Sequence, residues 1–289
     1  NLREHSVNEI KEPLVVHDRR TLGRATQNSG IVGLVCSRGD FHPGHQAAFV
    51  EAASRVDTLV VSVYTDPVEP AFETTSDIIS SADLQVAANA GVDIIFAPST
   101  EAFYPFGAAQ TLLNPGQVLN RFEGASSREQ MLRRLTQLVK MVGIVRPDKV
   151  FIGQCDAQFL ACVRQVVRDL DIQVTIEVVP TFRDLDGVVV SREIQGISGV
   201  QREGAIGFAK ALFAGVRQAA ASGSGSEVLA ACRQGLSACG AEIEYLDLVD
   251  PISFDTWTGE GPSTACLIAA AKLEGMRLCD NQLVVLSRP

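Results

Sequence analysis

The sequence predicts an α/β protein, in which a Rossmann-like, doubly wound parallel sheet precedes a smaller α+β domain. In the first part of the chain, short apolar runs rich in Val and Ile alternate with longer segments of helical periodicity, which is typical of parallel strands covered by helices. After Pro180 this alternation ends. The 289 residues suffice for about two domains of ~150 residues each. We place the boundary near residue 185, so the expected domains are 1–185 and 186–289.

The first domain is expected to hold five strands, because five short apolar runs are each followed by a break or a helical pattern. These runs are residues 31–36, 58–64, 93–97, 149–152 and 173–178. Apolar residues recur at helical spacing between them, which predicts helices at about 44–55, 77–90, 126–144 and 155–170. Residues 1–28 are too polar for an element to be assigned.

The second domain begins after a turn signal, Asp184-Leu-Asp-Gly187, which belongs to the residue types that favour turns. An Ala-rich stretch predicts a long helix at about 200–221, and the Ser/Gly-rich residues 222–226 are expected to form a flexible connection. The remaining elements are a helix near 226–239 and short strands near 242–248, 264–271 and 282–287.

Composition excludes several classes of protein. The formal net charge is −9, so no broad basic face is expected for a nucleic-acid partner. The longest apolar runs, 58–64 and 265–271, fall short of the roughly 20 residues of a membrane helix, and the polar start is not a signal peptide. We therefore expect a soluble, cytoplasmic protein. Seven cysteines without a Cys-x-x-Cys pair support neither a disulfide framework nor a metal site held by the protein.

One segment carries recognisable chemistry: Ser37-Arg-Gly-Asp-Phe-His42-Pro-Gly-His45 follows a predicted strand and enters a predicted helix. Two imidazoles at a helix N-terminus suit an anionic phosphate, and His-x-Gly-His is the nucleotidyltransferase signature for attack on a nucleoside triphosphate. We expect nucleotide contacts from Ser37, Gly39, His42, Gly44 and His45. The alternative is that His42 caps the helix and His45 lies on the surface.

Several further segments are similar to those of one enzyme family, and their spacing is kept without gaps from 123 to 205. The chain thereby resembles the pantothenate synthetase family, which condenses pantoate with β-alanine through a pantoyl adenylate at the expense of ATP. The segments are 35–45, 91–98 with Tyr104-Pro105, 123–125, 145–148, Gly153, Asp156, 166–170, Pro180-Thr181, Asp186-Gly187 and Cys279-Asp-Asn281.

The resemblance implies which residues bind ATP. Besides His42, Gly44 and His45, they are Gly153, Asp156, Phe182 and Ser191, with His45 as the acid toward the triphosphate. Asp156 is placed for a ribose hydroxyl or, equally, for capping helix 155–170. Magnesium is expected with ATP because the charge of the triphosphate exceeds what these residues neutralise. A homodimer is also implied by the family.

The departures from the family pattern cluster in the site. Cys155 stands where the family has the lysine that grips the triphosphate, and Ser191-Arg-Glu-Ile194 replaces Ser-Ser-Arg-Asn. Arg38 replaces a methionine. Because a tetra-anionic ligand needs cations, we expect Arg38 and Arg192 to act as the phosphate clamp in the catalytic step.

The acid pocket departs further. The two glutamines that hold pantoate in the family align with Glu69 and Phe159, and a glutamate cannot donate a hydrogen bond. Asp66 with Glu69 favours a cationic or hydroxylated group, and Phe159 offers an apolar wall. The other residues that we assign to this pocket are Arg38, Gln130 and Cys155. The alternative is that Glu69 pairs with Arg38 or Arg128.

These departures lead to a first hypothesis: an ATP-dependent ligase that forms an acyl adenylate and then an amide, acting in specialised metabolism on an acid other than pantoate. A divergent paralogue of this kind has three alternatives. They are a genuine pantothenate synthetase, a catalytically silent homologue that binds a nucleotide, and an enzyme that transfers a nucleotidyl group to a phosphorylated acceptor.

Overall fold

The computed structural model describes residues 11–64, 79–107, 109–259 and 263–287, and it divides into two compact units. The first unit holds the described residues up to Asn114 together with Glu129–Ile152 and Leu170–Val179. The second holds Pro115–Arg128, Gly153–Asp169 and the described residues from Pro180 onward. This division differs from the single boundary expected near residue 185, because two segments that precede that boundary, Pro115–Arg128 and Gly153–Asp169, are grouped with the C-terminal residues.

The first unit is built on a six-stranded sheet in the order β1-β4-β3-β2-β5-β6, and the recorded strand pairs are parallel. The chain passes from β2 outward through β3 and β4, and then returns to the other side of β2 with β5. The sheet therefore has its topological switch point between β2 and β5, where α/β proteins bind ligands. The strands are β1 (Leu14–Val16), β2 (Val32–Ser37), β3 (Thr58–Val63), β4 (Ile94–Phe96), β5 (Lys149–Gly153) and β6 (Thr175–Val179).

The helices of the described chain match the predicted helical segments to within a few residues and add shorter ones. Helix α6 shows why periodicity succeeds, since its buried residues Met131, Leu135, Leu138, Met141 and Val145 recur every three or four positions. In chain order the helices are α1 (Arg19–Ala25), α2 (Pro43–Ala53), α3 (Ser81–Asn89), α4 (Thr100–Phe103), α5 (Phe122–Ser126), α6 (Arg128–Val145), α7 (Ala157–Asp169), α8 (Gly199–Ser222) and α9 (Gly225–Ala238).

Strand β1 and helix α1 were not predicted, because the first is three residues long and the second lies in a polar segment. Leu14–Val16 pairs with Ile94–Phe96 at the edge of the sheet. Helix α1 begins where the side chain of Asp18 accepts hydrogen bonds from the backbone N–H groups of Arg20 and Thr21, as an N-cap does. Capping therefore starts this helix without a long apolar stripe.

The second unit contains a three-stranded antiparallel sheet in the order β7-β8-β9, formed by Glu242–Val249, Ser263–Leu273 and Met276–Leu286. The central strand β8 is buried from Ala265 to Ala271. Odd-numbered residues of this run join the core made with α8 and α9, whereas Cys266 and Ile268 join a core with residues of α7. Both faces of β8 are thus covered, and this confirms the predicted α+β character of this part.

Two expectations for this unit were wrong. Residues 222–226 are not a flexible connection, because only Gly223 and Ser224 separate α8 from α9; Gly223 adopts φ +64°, and Ser224 caps α9. The last strand begins at residue 276 rather than 282. Glu274 and Gly275 both have positive φ, the two-residue hairpin turn that joins antiparallel strands directly.

The predicted fold class is confirmed: the parallel six-stranded sheet with helices is Rossmann-like, and a small antiparallel sheet follows it. Among the residues that the structure describes, none of the helices combines the length and the apolar character needed to cross a bilayer.

Candidate active site

The end of β2, the loop that follows it and the first turn of α2 carry six of the residues predicted to bind nucleotide or substrate: Ser37, Arg38, Gly39, His42, Gly44 and His45. Gly39 and Asp40 adopt φ values of +86° and +50°, which turn the chain toward the start of α2. Asp83, a buried residue in the first turn of α3, accepts a hydrogen bond of 2.6 Å from the backbone N–H of Phe41. The loop is thereby fixed to the neighbouring helix by a carboxylate that sequence reasoning did not select.

His42 and His45 form a reciprocal cap at the N-terminus of α2. The Nδ1 atom of His42 accepts from the backbone N–H of Gly44 at 3.1 Å, and that of His45 accepts from the N–H of His42 at 3.3 Å. Because each Nδ1 is an acceptor, each neutral ring carries its proton on Nε2. The Nε2 atom of His45 lies 3.3 Å from the hydroxyl of Ser37, so His45 donates that bond.

The first backbone N–H groups of α2 already have partners within the turn. The backbone N–H of Gly44 donates to His42, and the N–H groups of His45 and Gln46 donate to the carbonyl oxygen of His42. Attraction for an anion therefore rests on the helix dipole and on the imidazole Nε2 groups. The two imidazole rings are in contact, with centroids 4.0 Å apart and planes tilted by 47°.

A second group of predicted residues lies in the second unit, on the segment from Gly153 to Phe159. Gly153 precedes a 3₁₀ turn over Gln154–Asp156 that leads into α7. A Cβ atom on Gly153 would lie only 3.0 Å from the sulfur of Cys155, so a larger residue at this position would crowd that side chain. Cys155 and Asp156 are exposed, whereas Phe159 is buried.

Asn281 of β9 holds this segment. Its side-chain nitrogen donates to the carbonyl oxygens of Gln154 and Cys155 at 2.9 and 3.1 Å, and its side-chain oxygen accepts from the amide of Gln154 at 3.1 Å. Cys266 approaches the same oxygen at 3.7 Å. With Asn281 only 4% exposed, these contacts satisfy a buried amide that would otherwise be costly.

The third group of predicted residues, Phe182, Ser191 and Arg192, lies on a loop of the second unit that Arg183 fastens to β9. The guanidinium of Arg183 binds both carboxylate oxygens of Asp280, at 2.7 and 3.0 Å, and donates to the carbonyl oxygen of Asn281. Phe182 is 42% exposed. Ser191 precedes the 3₁₀ turn Arg192–Ile194, and both Ser191 and Arg192 are half-buried.

Asp184 shapes the same loop. Partial burial raises the pKa of its carboxyl, but hydrogen bonds from the side chain of Arg202 and from the backbone N–H groups of Val188 and Asp186 outweigh burial, so the net pKa is lowered. The N–H of Gly187 donates to the carbonyl oxygen of Asp184, and Gly187 adopts φ +84°. The predicted turn at 184–187 is confirmed.

Gln158 secures a further segment of the second unit, and sequence reasoning did not select it. It is 5% exposed. Its nitrogen donates to the carbonyl oxygens of Val118 and Arg121 at 2.7 and 2.9 Å, and its oxygen accepts from the N–H of Gly124 at 3.0 Å. The side chain therefore serves the backbone of residues 118–124, and Phe159 follows it on α7.

The remaining predicted residues fall elsewhere. Gln130 is exposed in the first turn of α6. Asp66 and Glu69 lie outside the described residues, so the alternative that Glu69 pairs with Arg38 or Arg128 stays a prediction. Arg128 donates to the carbonyl of Leu119 and to Asn120. Across the described ranges, no group of three or more His, Cys, Asp or Glu side chains is arranged to hold a metal ion.

Comparisons with known proteins agree on one family. The family model of pantoate-beta-alanine ligase matches residues 8–283. A pantothenate synthetase of Thermobifida fusca is 34% identical over 286 residues, which cover 94% of this chain and 95% of that protein.

Solved structures agree as well. The crystal structure of pantothenate synthetase from Thermus thermophilus has a TM-score of 0.80 at 30% identity, covering 93% of this chain and 98% of that one. The pantoate-beta-alanine ligase of Francisella tularensis, complexed with beta-gamma ATP and beta-alanine, has a TM-score of 0.70 at 21% identity and covers 94% of this chain and 97% of that one. At 21% identity, the likeness to the Francisella tularensis protein supports the fold alone.

Proposed function

Because the chain belongs to the pantoate-beta-alanine ligase family, we propose that it is an ATP-dependent ligase that joins pantoate to β-alanine and releases AMP and diphosphate. The sequence alone favoured another acid. The names of the relatives instead favour pantoate, which was the alternative, and we adopt it as the first candidate.

The proposed reaction has two steps. A carboxylate oxygen of pantoate attacks the α-phosphorus of ATP, the bond to the β-phosphate oxygen breaks, and diphosphate leaves. The amine of β-alanine then attacks the carbonyl carbon of the adenylate, AMP departs with the electron pair of the broken C–O bond, and the amine loses a proton. Both steps develop negative charge on phosphate oxygens, which cationic and N–H donors stabilise.

His45 is the residue that we propose to act on the triphosphate. The observation that carries the proposal is its hydrogen bonding: Nδ1 accepts from the backbone N–H of His42, so that the proton is on Nε2, at the positive end of α2. This Nε2–H donates to Ser37, and we propose that a phosphate oxygen of bound ATP replaces Ser37 as its acceptor, so that the donor stabilises charge on departing diphosphate. His42, held likewise by Gly44, is proposed to position the nucleotide.

The other nucleotide residues come to this chain by family resemblance. They are Gly44 in the first turn of α2, and Gly153, Asp156, Phe182 and Ser191 in the second unit. Ser37 at the end of β2 and Gly39 in the loop after it are proposed as contacts because they belong to the same motif as His42 and His45. We propose that ATP enters as its magnesium complex. The metal then neutralises part of the triphosphate charge and belongs to the substrate.

Isotope exchange between diphosphate and ATP tests the proposal. Purified protein with ATP, magnesium and pantoate is expected to exchange labelled diphosphate into ATP, and addition of β-alanine is expected to yield pantothenate by mass spectrometry. Exchange without pantothenate rejects β-alanine as the amine. ATP binding without exchange for any acid indicates the catalytically silent homologue.

A second candidate is a ligase for another carboxylic acid. It is favoured by Phe159, a buried apolar side chain at a position where the family has an amide, and by Cys155 in place of a lysine. An aromatic ring offers neither donor nor acceptor to a hydroxy acid. A panel of carboxylic acids in the exchange assay separates the two candidates, since the acid that supports exchange is the substrate.

The homodimer implied by the resemblance stays a prediction.

A further inference from the structure

Adjacent residues of β9, Asp280 and Asn281, hold two separate loops of the second unit. Both side chains are buried, at 6% and 4% exposure. Asn281 binds the backbone of the 3₁₀ turn at Gln154 and Cys155, and Asp280 binds Arg183. The site residues that family resemblance assigns to the nucleotide in this unit lie on these two loops.

The contacts of Asn281 leave little freedom to the turn. Two carbonyl oxygens converge on one amide nitrogen, and the amide of Gln154 returns a hydrogen bond to the oxygen of Asn281. A 3₁₀ turn of three residues satisfies few of its own backbone groups, so its carbonyl oxygens depend on partners outside the turn. The amide of Asn281 therefore sets the orientation of the peptide groups on either side of Cys155.

Asp280 acts on the other loop through a bidentate ion pair, the arrangement with the greatest geometric specificity. Arg183 also donates to the carbonyl oxygens of Gly187 and Asn281, at 3.0 and 3.2 Å, so it spans the turn and the strand. Phe182 precedes Arg183 directly. A shift of this ion pair would therefore displace the backbone that carries Phe182.

We propose that Asp280 and Asn281 are positioning residues for ATP, with Asn281 orienting the Gly153–Asp156 loop and Asp280 orienting the loop that bears Phe182. This inference rests on the proposed function, since it takes the two loops to bind ATP. We assign neither residue to the reacting atoms. Their effect passes through the backbone of the loops.

Hydrogen–deuterium exchange and calorimetry with magnesium-ATP test the proposal together. Asn281→Leu keeps a side chain of similar bulk but removes its hydrogen bonds. In this variant the backbone amides of residues 154–159 are expected to exchange with deuterium at least about tenfold faster, and the Kd for ATP is expected to rise about tenfold. In Asp280→Asn, faster exchange is expected in 182–190. Cys266→Ala is the control, because it removes atoms beside Asn281 while keeping the contacts to both carbonyls.

Each outcome decides a separate point. A folded Asn281→Leu protein with unchanged exchange in 154–159, or with faster exchange but unchanged ATP affinity, overturns the proposal. If Cys266→Ala weakens ATP binding equally, the effect is a general loss of stability and the proposal is again wrong. If the wild-type protein binds no ATP, the proposed function fails, while deuterium exchange still decides whether Asn281 holds the loop. Should Asn281→Leu not fold, Asn281→Asp, which removes the donor to both carbonyls, gives the same readouts.

Discussion

The backbone N–H of His42 donates to Nδ1 of His45 at 3.3 Å, so one histidine of the motif fixes the ring of the other. The same ring then presents its Nε2–H to Ser37. A capping box normally uses Glu or Gln at the position of His45. Here an imidazole supplies the cap and leaves a proton donor on its opposite side.

We expect His45→Ala and His45→Gln to lower the rate of diphosphate exchange at least about a hundredfold, which is the usual contribution of a proton-donating group. His45→Gln is the informative variant, because glutamine at this position keeps an acceptor for the N–H of His42. Circular dichroism and thermal unfolding check that both variants fold. Retention of exchange by His45→Ala removes His45 from the chemistry, and retention by His45→Gln alone shows that a neutral hydrogen-bond donor suffices there.

His42 combines a capping role with its proposed role in positioning ATP, and two substitutions separate them. His42→Ala removes the N-cap of α2 and is expected to lower the free energy of unfolding by about 0.5–2 kcal/mol. His42→Asn keeps a good N-cap and is expected to preserve that free energy. Both should raise the KM for ATP. A normal KM in His42→Asn leaves His42 as a cap only.

Strands β2 to β5 could be predicted from the sequence, because they are largely buried and therefore appear as continuous apolar runs. The His42-x-x-His45 spacing was equally informative, since the motif, the helix start and the strand end are all local. Local signals also located α6 and α8. They failed at β1, where three residues are too few to show a pattern.

The anchors of the site could not be predicted, because they join residues far apart in the chain. Asn281 and Gln154 are separated by 127 positions, and Arg183 and Asp280 by 97. The available signal was an acidic residue followed by two amides, Asp280-Asn281-Gln282, within a strand whose other residues are mostly apolar. Asp280-Asn281 belongs to a segment that resembles the family, yet only the hairpin register of β8 and β9 shows that Asn281 lies opposite Ile268, inside the unit.

Gln158 is expected to be essential for stability rather than for chemistry. Gln158→Leu removes three hydrogen bonds to the backbone of residues 118–124. The carbonyl oxygen of Arg121 keeps the N–H of Ala125 as a partner, and a buried group left without one costs about 1–3 kcal/mol. The free energy of unfolding should therefore fall by roughly 2 kcal/mol or more in urea denaturation. Gln165→Leu, on the same helix with only side-chain partners nearby, should change it little. Equal losses in the two variants would contradict this role.

Arg38 and Arg192 are expected to replace the missing lysine as a phosphate clamp. Removing one guanidinium that binds phosphate should weaken ATP binding about tenfold, in the range of a charge-assisted hydrogen bond. Calorimetry of Arg38→Ala and Arg192→Ala measures this loss. Arg20→Ala on α1 and Arg217→Ala on α8 are controls, because both arginines are exposed on helices. If both site variants keep wild-type affinity, neither arginine binds phosphate.

We expect the acid specificity to depend on Phe159, which is 6% exposed on α7 at a position where the family has an amide. If pantoate is the substrate, the wild-type protein forms pantothenate, but with a high KM for pantoate, because Phe159 can form no hydrogen bond with the acid. Phe159→Gln should lower that KM about tenfold or more, as added hydrogen bonds to a polar substrate do. It should also lower the free energy of unfolding, since a large apolar side chain is lost from a buried position.

Steady-state kinetics at varied pantoate and fixed β-alanine measure the effect. Phe159→Leu is the matched control, because it removes ring volume without adding an amide, and its KM for pantoate should stay at the wild-type value or rise. The combination with Glu69→Gln and Cys155→Lys should raise kcat/KM further, since it restores both amides and the cation of the family. A wild-type protein that forms no pantothenate at millimolar pantoate, yet exchanges diphosphate with a different acid, would return the assignment to a ligase of altered specificity. Because the triple variant restores family residues on the same scaffold, pantothenate formation by that variant alone would attribute the change of substrate to these three positions.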